Sequence, residues 1–165
     1  FEELIPHVEK TFRIKGEKRY RAVAGLSMGG EGTFIYALHR PDMFSSACPL
    51  SAATGPRSLE AVMEYRSLKG VEGITKADKE AYFKKYSVLS LIENMPDDQK
   101  KAVRWFIDCG DDDFLYEGNS LVHIAMRKKE IPHEFRIRNG GHSWTYWRES
   151  LPVVLEFVSM SFHQH

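Results

Sequence analysis

Cysteine is scarce: the 165 residues hold two, Cys48 and Cys109. That excludes a disulfide framework and a thiolate metal cage. Neither sign of charge is in excess, with 23 basic and 23 acidic residues and a formal net charge of zero. A dedicated nucleic-acid binder carries a basic surplus, so that class is disfavoured. No apolar run approaches the roughly 20 residues that span a bilayer. Internal repeats and low-complexity tracts are absent. So are an initiating methionine and a signal peptide: the chain begins at Phe1, and reads as a processed product or a piece of something longer. What is there is ordinary for a globular chain, 42% hydrophobic and 28% charged. The length fits a single domain, residues 1–165, burying roughly 70% of the unfolded surface.

The hydropathy pattern alternates between strand and helix. Leu4, Ile5 and Val8 fall at helical spacing within Glu2–Thr11. Tyr20–Leu26 (YRAVAGL) reads as a short buried strand running into a glycine-rich turn. Gly29–His39 follows as a helix with Phe34, Ala37 and Leu38 on one face, stopped before Pro41. Phe44–Ala53 contains a second strand. The region 54–99 is an irregular, mostly helical insertion, with helical patches at Leu59–Leu68 and Lys76–Tyr86 broken by Gly70, Gly73 and Pro96. Ala102–Cys109 is a third strand. Glu117–Lys129 is an amphipathic helix with Leu121, Ile124 and Ala125 directed inward, and His133–Arg138 is a fourth strand with clear alternation. Trp144–Phe162 closes the chain as a helical region; Pro152 suits a first turn, which would make Ser150 the cap of a final helix. The alternation implies an α/β fold: a mainly parallel sheet of about four strands flanked by helices. Function in such sheets lies at the carboxyl ends of the strands.

The residues following three of the strands are chemically distinctive. After the first comes Gly25-Leu26-Ser27-Met28-Gly29, a G-x-S-x-G pattern. It lifts a serine on a tight strand-to-helix turn, and its glycines remove side chains that would clash there. The Met28 amide, next in line at the helix N-terminus, is placed to donate to an oxyanion. By chance the pattern arises in about one chain in fifteen of this length, so its setting between strand and helix carries the inference. After the third strand stand Asp111, Asp112 and Asp113. One of them suits the acid that orients a histidine, with Asp113 favoured; the alternative is a solvated turn that caps the next helix. A calcium loop is disfavoured because D-x-D-x-D-G is absent. After the fourth strand comes Gly140-Gly141-His142. His142 completes the order serine, aspartate, histidine, each behind a strand end. His7, His39, His123, His133, His163 and His165 read as surface or packing residues. The set calls for no metal and no cofactor.

GLSMGG at 25–30, CGDDDFLYEGN at 109–119 and GGHSWTYWRESLP at 140–152 together resemble the carboxyl-terminal part of an α/β-hydrolase esterase family. That family includes feruloyl esterases, acetyl-xylan esterases, S-formylglutathione hydrolase and the esterase D group. The resemblance runs from Leu4 onward, loosely across 54–99. It implies Ser27 as nucleophile, Asp113 as acid, because it precedes the Phe-Leu pair, and His142 as base. The Gly-His-x-Trp-x-x-Trp stretch is more similar to polysaccharide-associated esterases than to the formylglutathione branch. The implied activity is hydrolysis of feruloyl or acetyl decorations of plant polysaccharides, so the partner is a small-molecule or carbohydrate ester, with no nucleic acid and no membrane. An acyltransferase with the same three residues and a non-catalytic interaction module are the alternatives. Trp144, Tyr146 and Trp147 are candidates for an aromatic wall against a phenolic acyl group or a sugar, and the Met28 side chain is a candidate pocket lining. Cys48 and Cys109 read as buried free thiols on different strands.

The resemblance also implies eight strands where four are readable. The absent ones precede the serine and would supply the second oxyanion amide. The expectation is therefore a partial domain, half of an α/β-hydrolase fold. It would expose the edge of its first strand and invite self-association or a complementing chain there. The family resemblance favours a secreted or periplasmic location, with the signal upstream.

Overall fold

The computed structural model describes residues 1–65 and 68–163. Helix α1 (Leu4–Thr11) leads through a short 3-10 turn at Lys18–Tyr20 to strand β1 (Ala22–Leu26). Helix α2 (Met28–His39) and strand β2 (Ser46–Leu50) follow. The insertion holds a 3-10 turn at Glu60–Glu64, helices α3 (Lys76–Tyr86) and α4 (Val88–Glu93), and a second such turn at Asp97–Gln99. Strand β3 (Arg104–Gly110), helix α5 (Tyr116–Lys128), strand β4 (His133–Arg138) and helix α6 (Trp144–His163) complete the chain. Of the expected helical patch at Leu59–Leu68, Arg66 and Ser67 lie outside the described residues, as does His165.

The four strands form one parallel sheet in the order β1-β2-β3-β4. Its register brings the strand ends together: Leu26 pairs with Leu50, Leu50 with Asp108, and Gly110 with Arg138. Side chains alternate across the sheet and feed two cores. On one side Ala47, Trp105 and Ile107 pack with Phe34 and Ala37 of α2, Ile92 of α4, and Val122 and Met126 of α5. On the other, Cys48, Leu50 and Phe106 pack beneath Tyr146, Trp147, Val154 and Phe157 of α6. Helices on both faces are what buries an all-parallel sheet.

The structure corrects the sequence reading in three places. Strand β2 is buried throughout, but β1 is only half-buried, with Ala24 exposed. Its apolar run signalled burial, yet β1 ends the strand order and has one strand neighbour among the described residues. In α5 the buried face is Asn119, Val122 and Met126, while Ile124 is 45% exposed. Of the expected stripe, Ala125 packs against the core and Ile124 does not. Finally, α6 is one continuous helix through Pro152, and Ser150 is not its cap. Pro152 withholds an amide from the Arg148 carbonyl, but both residues lie on the exposed face. Buried Tyr146, Trp147, Val154 and Phe157 hold the helix on either side of the break.

Both cysteines are free and buried. Burial pushes the Cys48 thiol up to about 12, and Cys109, with Asp113 and Asp108 nearby, also up to about 12. Alkylation requires thiolate. Iodoacetamide at pH 8 is expected to leave both unmodified in the folded chain and to modify both in denaturant. Rapid labelling of either in the native protein would contradict this packing.

Candidate active site

Ser27 links β1 to α2 with φ of 58°, a left-handed conformation rarely adopted by a residue with a Cβ. Such strain costs on the order of 1–3 kcal/mol and persists only where the surroundings hold it. Here its amide donates to the Leu50 carbonyl (2.9 Å), and its carbonyl accepts from Glu31 (3.1 Å) and Ala53 (3.1 Å). The strand-end loop of β2 is therefore part of the turn. Gly30 packs so closely that a Cβ there would sit 2.7 Å from the Ala52 methyl. Ala52 is gripped in turn by buried Asn119, whose side-chain amide donates to its carbonyl at 2.9 Å. Gly25 has no room for a side chain either, because a Cβ would drive into the Gly29 carbonyl.

The Ser27 hydroxyl faces His142, with Oγ 2.9 Å from Nε2. The other ring nitrogen, Nδ1, meets Asp113 at 2.9 Å from Oδ2 and 3.1 Å from Oδ1. Asp113 is buried, and its Oδ1 also accepts from the Leu115 amide at 2.9 Å. The neighbouring aspartates separate clearly. Asp111 turns away and accepts from the Gly140 amide at 2.9 Å, stapling its own loop to the loop that carries His142. The backbone reinforces that staple, Asp111 donating to Arg138 and Asp112 to Gly140. Thus the structure brings Ser27, His142 and Asp113 into one hydrogen-bonded line, with Asp111 supporting it.

The predicted aromatic wall divides. Trp144 is 63% exposed, whereas Trp147 and Tyr146 are buried at 7% and 3%. Trp147 stands edge-on to the His142 ring at 4.8 Å, and its indole N–H donates to Ser51 Oγ at 2.9 Å. Tyr146 cannot line an open pocket: its hydroxyl donates to buried Asp108, and its ring packs on Gly140 and Gly110. Burial first, then that bond, raises the Tyr146 hydroxyl above its ordinary value. Arg138 lies over the Tyr146 ring at 4.4 Å, 3.5 Å from Asp108, and donates to Ser150 Oγ at 2.6 Å. Ser150 therefore serves this network. Met28, at the start of α2, is 59% exposed.

Sequence reasoning passed over Asn119, Ser51, Asp108 and Phe114. Phe114 lies 4.6 Å from the His142 ring and is 72% exposed. The CGDDDFLYEGN segment holds both Asn119 and Phe114, but only the aspartates in it signal chemistry by type. Among the described residues no cluster of three or more His, Cys, Asp or Glu side chains could hold a metal. No helix there is long and apolar enough to cross a membrane. The line from Asp113 through His142 can draw a proton from Ser27 and so make its oxygen nucleophilic.

Comparison with known proteins places the fold and the family. The fold matches a solved ferulic acid esterase with a TM-score of 0.79 and 34% identity, over 98% of this chain and 60% of that one. The acetyl esterase of Caldicellulosiruptor saccharolyticus is 22% identical over 169 residues, 95% of this chain and 61% of that protein. An endo-1,4-beta-xylanase/feruloyl esterase of Xylanibacter ruminicola is 49% identical over 53 residues, 32% of this chain and 7% of that protein. The chain thus spans about three fifths of the length of the ferulic acid and acetyl esterases. The parallel sheet with helices on both faces is an α/β-hydrolase arrangement. The Esterase family model, described as "Putative esterase", matches residues 1–158. That match takes in the serine turn, all three aspartates and the histidine loop, and the chain belongs to this esterase family.

Proposed function

We propose that this chain carries the catalytic residues of a serine carboxylesterase that removes feruloyl or acetyl groups from plant polysaccharides. One observation carries the reading: the unbroken hydrogen bonds from Ser27 through His142 to buried Asp113. His142 Nε2 takes the Ser27 proton as Oγ attacks the ester carbonyl, while Asp113 holds Nδ1–H and stabilises the imidazolium. The developing oxyanion lies at the start of α2, where the Met28 amide donates and the helix dipole favours negative charge. His142 then protonates the leaving alcohol oxygen, the C–O bond breaks, and Ser27 is left as an acyl ester. Water, deprotonated by His142, attacks that ester, and the carboxylic acid departs as Ser27 regains its proton.

The polysaccharide reading is supported by the relatives' activities, an acetyl esterase and a protein joining xylanase to feruloyl esterase. A fluorophosphonate is expected to modify Ser27 in the wild-type chain and not in Ser27→Ala, read by mass spectrometry on the peptide containing residue 27. Absence of modification in wild type, or equal modification in both, would refute the esterase. Product analysis with added sugar acceptors separates hydrolysis from acyl transfer.

A further inference from the structure

We infer that Phe114 is a specificity-determining residue that borders the alcohol side of the ester and selects alcohols that are sugar rings; this rests on the esterase reading above. The assignment follows from where the reaction's oxygens must lie. The leaving alcohol oxygen receives its proton from His142 Nε2, so it lies within hydrogen-bond reach of that nitrogen. The oxyanion points away from it, toward the first amide of α2. Groups that flank the imidazole therefore border the alcohol, and groups near α2 border the acyl part.

Besides its hydrogen-bond partners, two aromatic rings among the described residues pack against His142. Trp147 is 7% exposed and anchored by its N–H to Ser51, so it forms a buried support. Phe114 is tilted 49° to the imidazole at 4.6 Å, and 72% of it is open to solvent. It follows Asp113 directly, on the loop fixed by the Leu115 amide. Trp144, 63% exposed and edge-on to Trp147 at 5.4 Å, adds a second open ring on the same aromatic chain. An open ring face offers stacking without enclosure. That suits a pyranose, which is apolar across its C–H face and needs water at its hydroxyl rim. An aryl alcohol gains most from full burial, which this surface does not supply. A ring that only sheltered the His142–Asp113 pair would act on every ester equally, and this separates the two roles.

The test uses acetate esters that differ only in the alcohol: ethyl acetate, phenyl acetate and an acetylated methyl xyloside. Covering about 40 Å² of apolar ring face at about 25 cal/mol per Å² corresponds to about fivefold, so Phe114→Ala is expected to lower the xyloside-to-ethyl ratio of kcat/KM by about that factor, through KM. Phe114→Leu should restore part of it. An unchanged ratio, or a fall confined to phenyl acetate, overturns the assignment. Fluorophosphonate modification of Ser27 in the same samples separates the two failures: none means the esterase reading fails, whereas modification with an unchanged ratio means that Phe114 does not select. A second arm needs no turnover. In Ser27→Ala, titration with ester-free xylotriose should shift the Phe114 ring and Trp144 indole resonances, and the absence of any shift overturns the proposal.

Discussion

Replacing Asp113 with asparagine is expected to lower kcat/KM about 10⁴-fold on any ester that the wild type hydrolyses, with the fold retained. The size follows from the geometry of one buried side chain. Asp113 presents both oxygens to His142 Nδ1 and uses Oδ1 to accept from the Leu115 amide as well. An asparagine can keep the Leu115 bond with its oxygen, which turns its NH₂ group toward Nδ1. That group donates, so Nδ1 must accept and the proton moves to Nε2. The nitrogen that should take the Ser27 proton is then already occupied. Volume and burial change little, so thermal stability should fall far less than activity does. Asp111→Asn and Asp112→Asn serve as comparisons: the His142 Nδ1 bonds go to Asp113, so neither reaches this loss. A change of less than tenfold in Asp113→Asn would remove Asp113 from the role.

A large loss of stability from a single added methyl is expected for Gly110→Ala. Gly110 ends β3, and a Cβ there would press into the Gly140 backbone carbonyl, with a Tyr146 ring carbon 3.3 Å away. Neither obstacle is a flexible side-chain tip. Overpacking costs typically 1–3 kcal/mol, and this substitution belongs at the upper end, about 3 kcal/mol, because backbone must move. For a chain of this size that lowers Tm by on the order of 10 °C. The displaced segment carries His142, so fluorophosphonate modification of Ser27 should slow as well. A melting temperature within 2 °C or so of wild type, on a scale of about 2–4 °C per kcal/mol, would show that the two loops are less tightly joined than described.

The outline of the site was legible because three residue types recur behind three strand ends. Ser27 sits in a glycine pattern that few other functions require, and His142 follows two glycines that end a strand. The strands were legible because β-compatible runs are bounded by glycine and proline. The supports were not. Ser51 and Asn119 are common polar residues, and nothing local marks them as partners of Trp147 and Ala52, 96 and 67 residues away in sequence. Tyr146 reads as a pocket aromatic by proximity to His142, yet the helix turns it inward onto Asp108. Pro152 reads as a helix start because proline propensity is local, whereas the burial of α6 is not.

The order β1-β2-β3-β4 also bears on how the molecule assembles. Ser27 and His142 hang from strands three places apart, roughly 14 Å at the usual spacing, and 115 residues apart in sequence. Their loops can meet only when every pairing between them has formed. A refolding chain should therefore regain helix content before it regains a reactive Ser27. Reactivity at that single oxygen becomes a clock for completion of the whole sheet, and a partly zipped intermediate would be chemically silent.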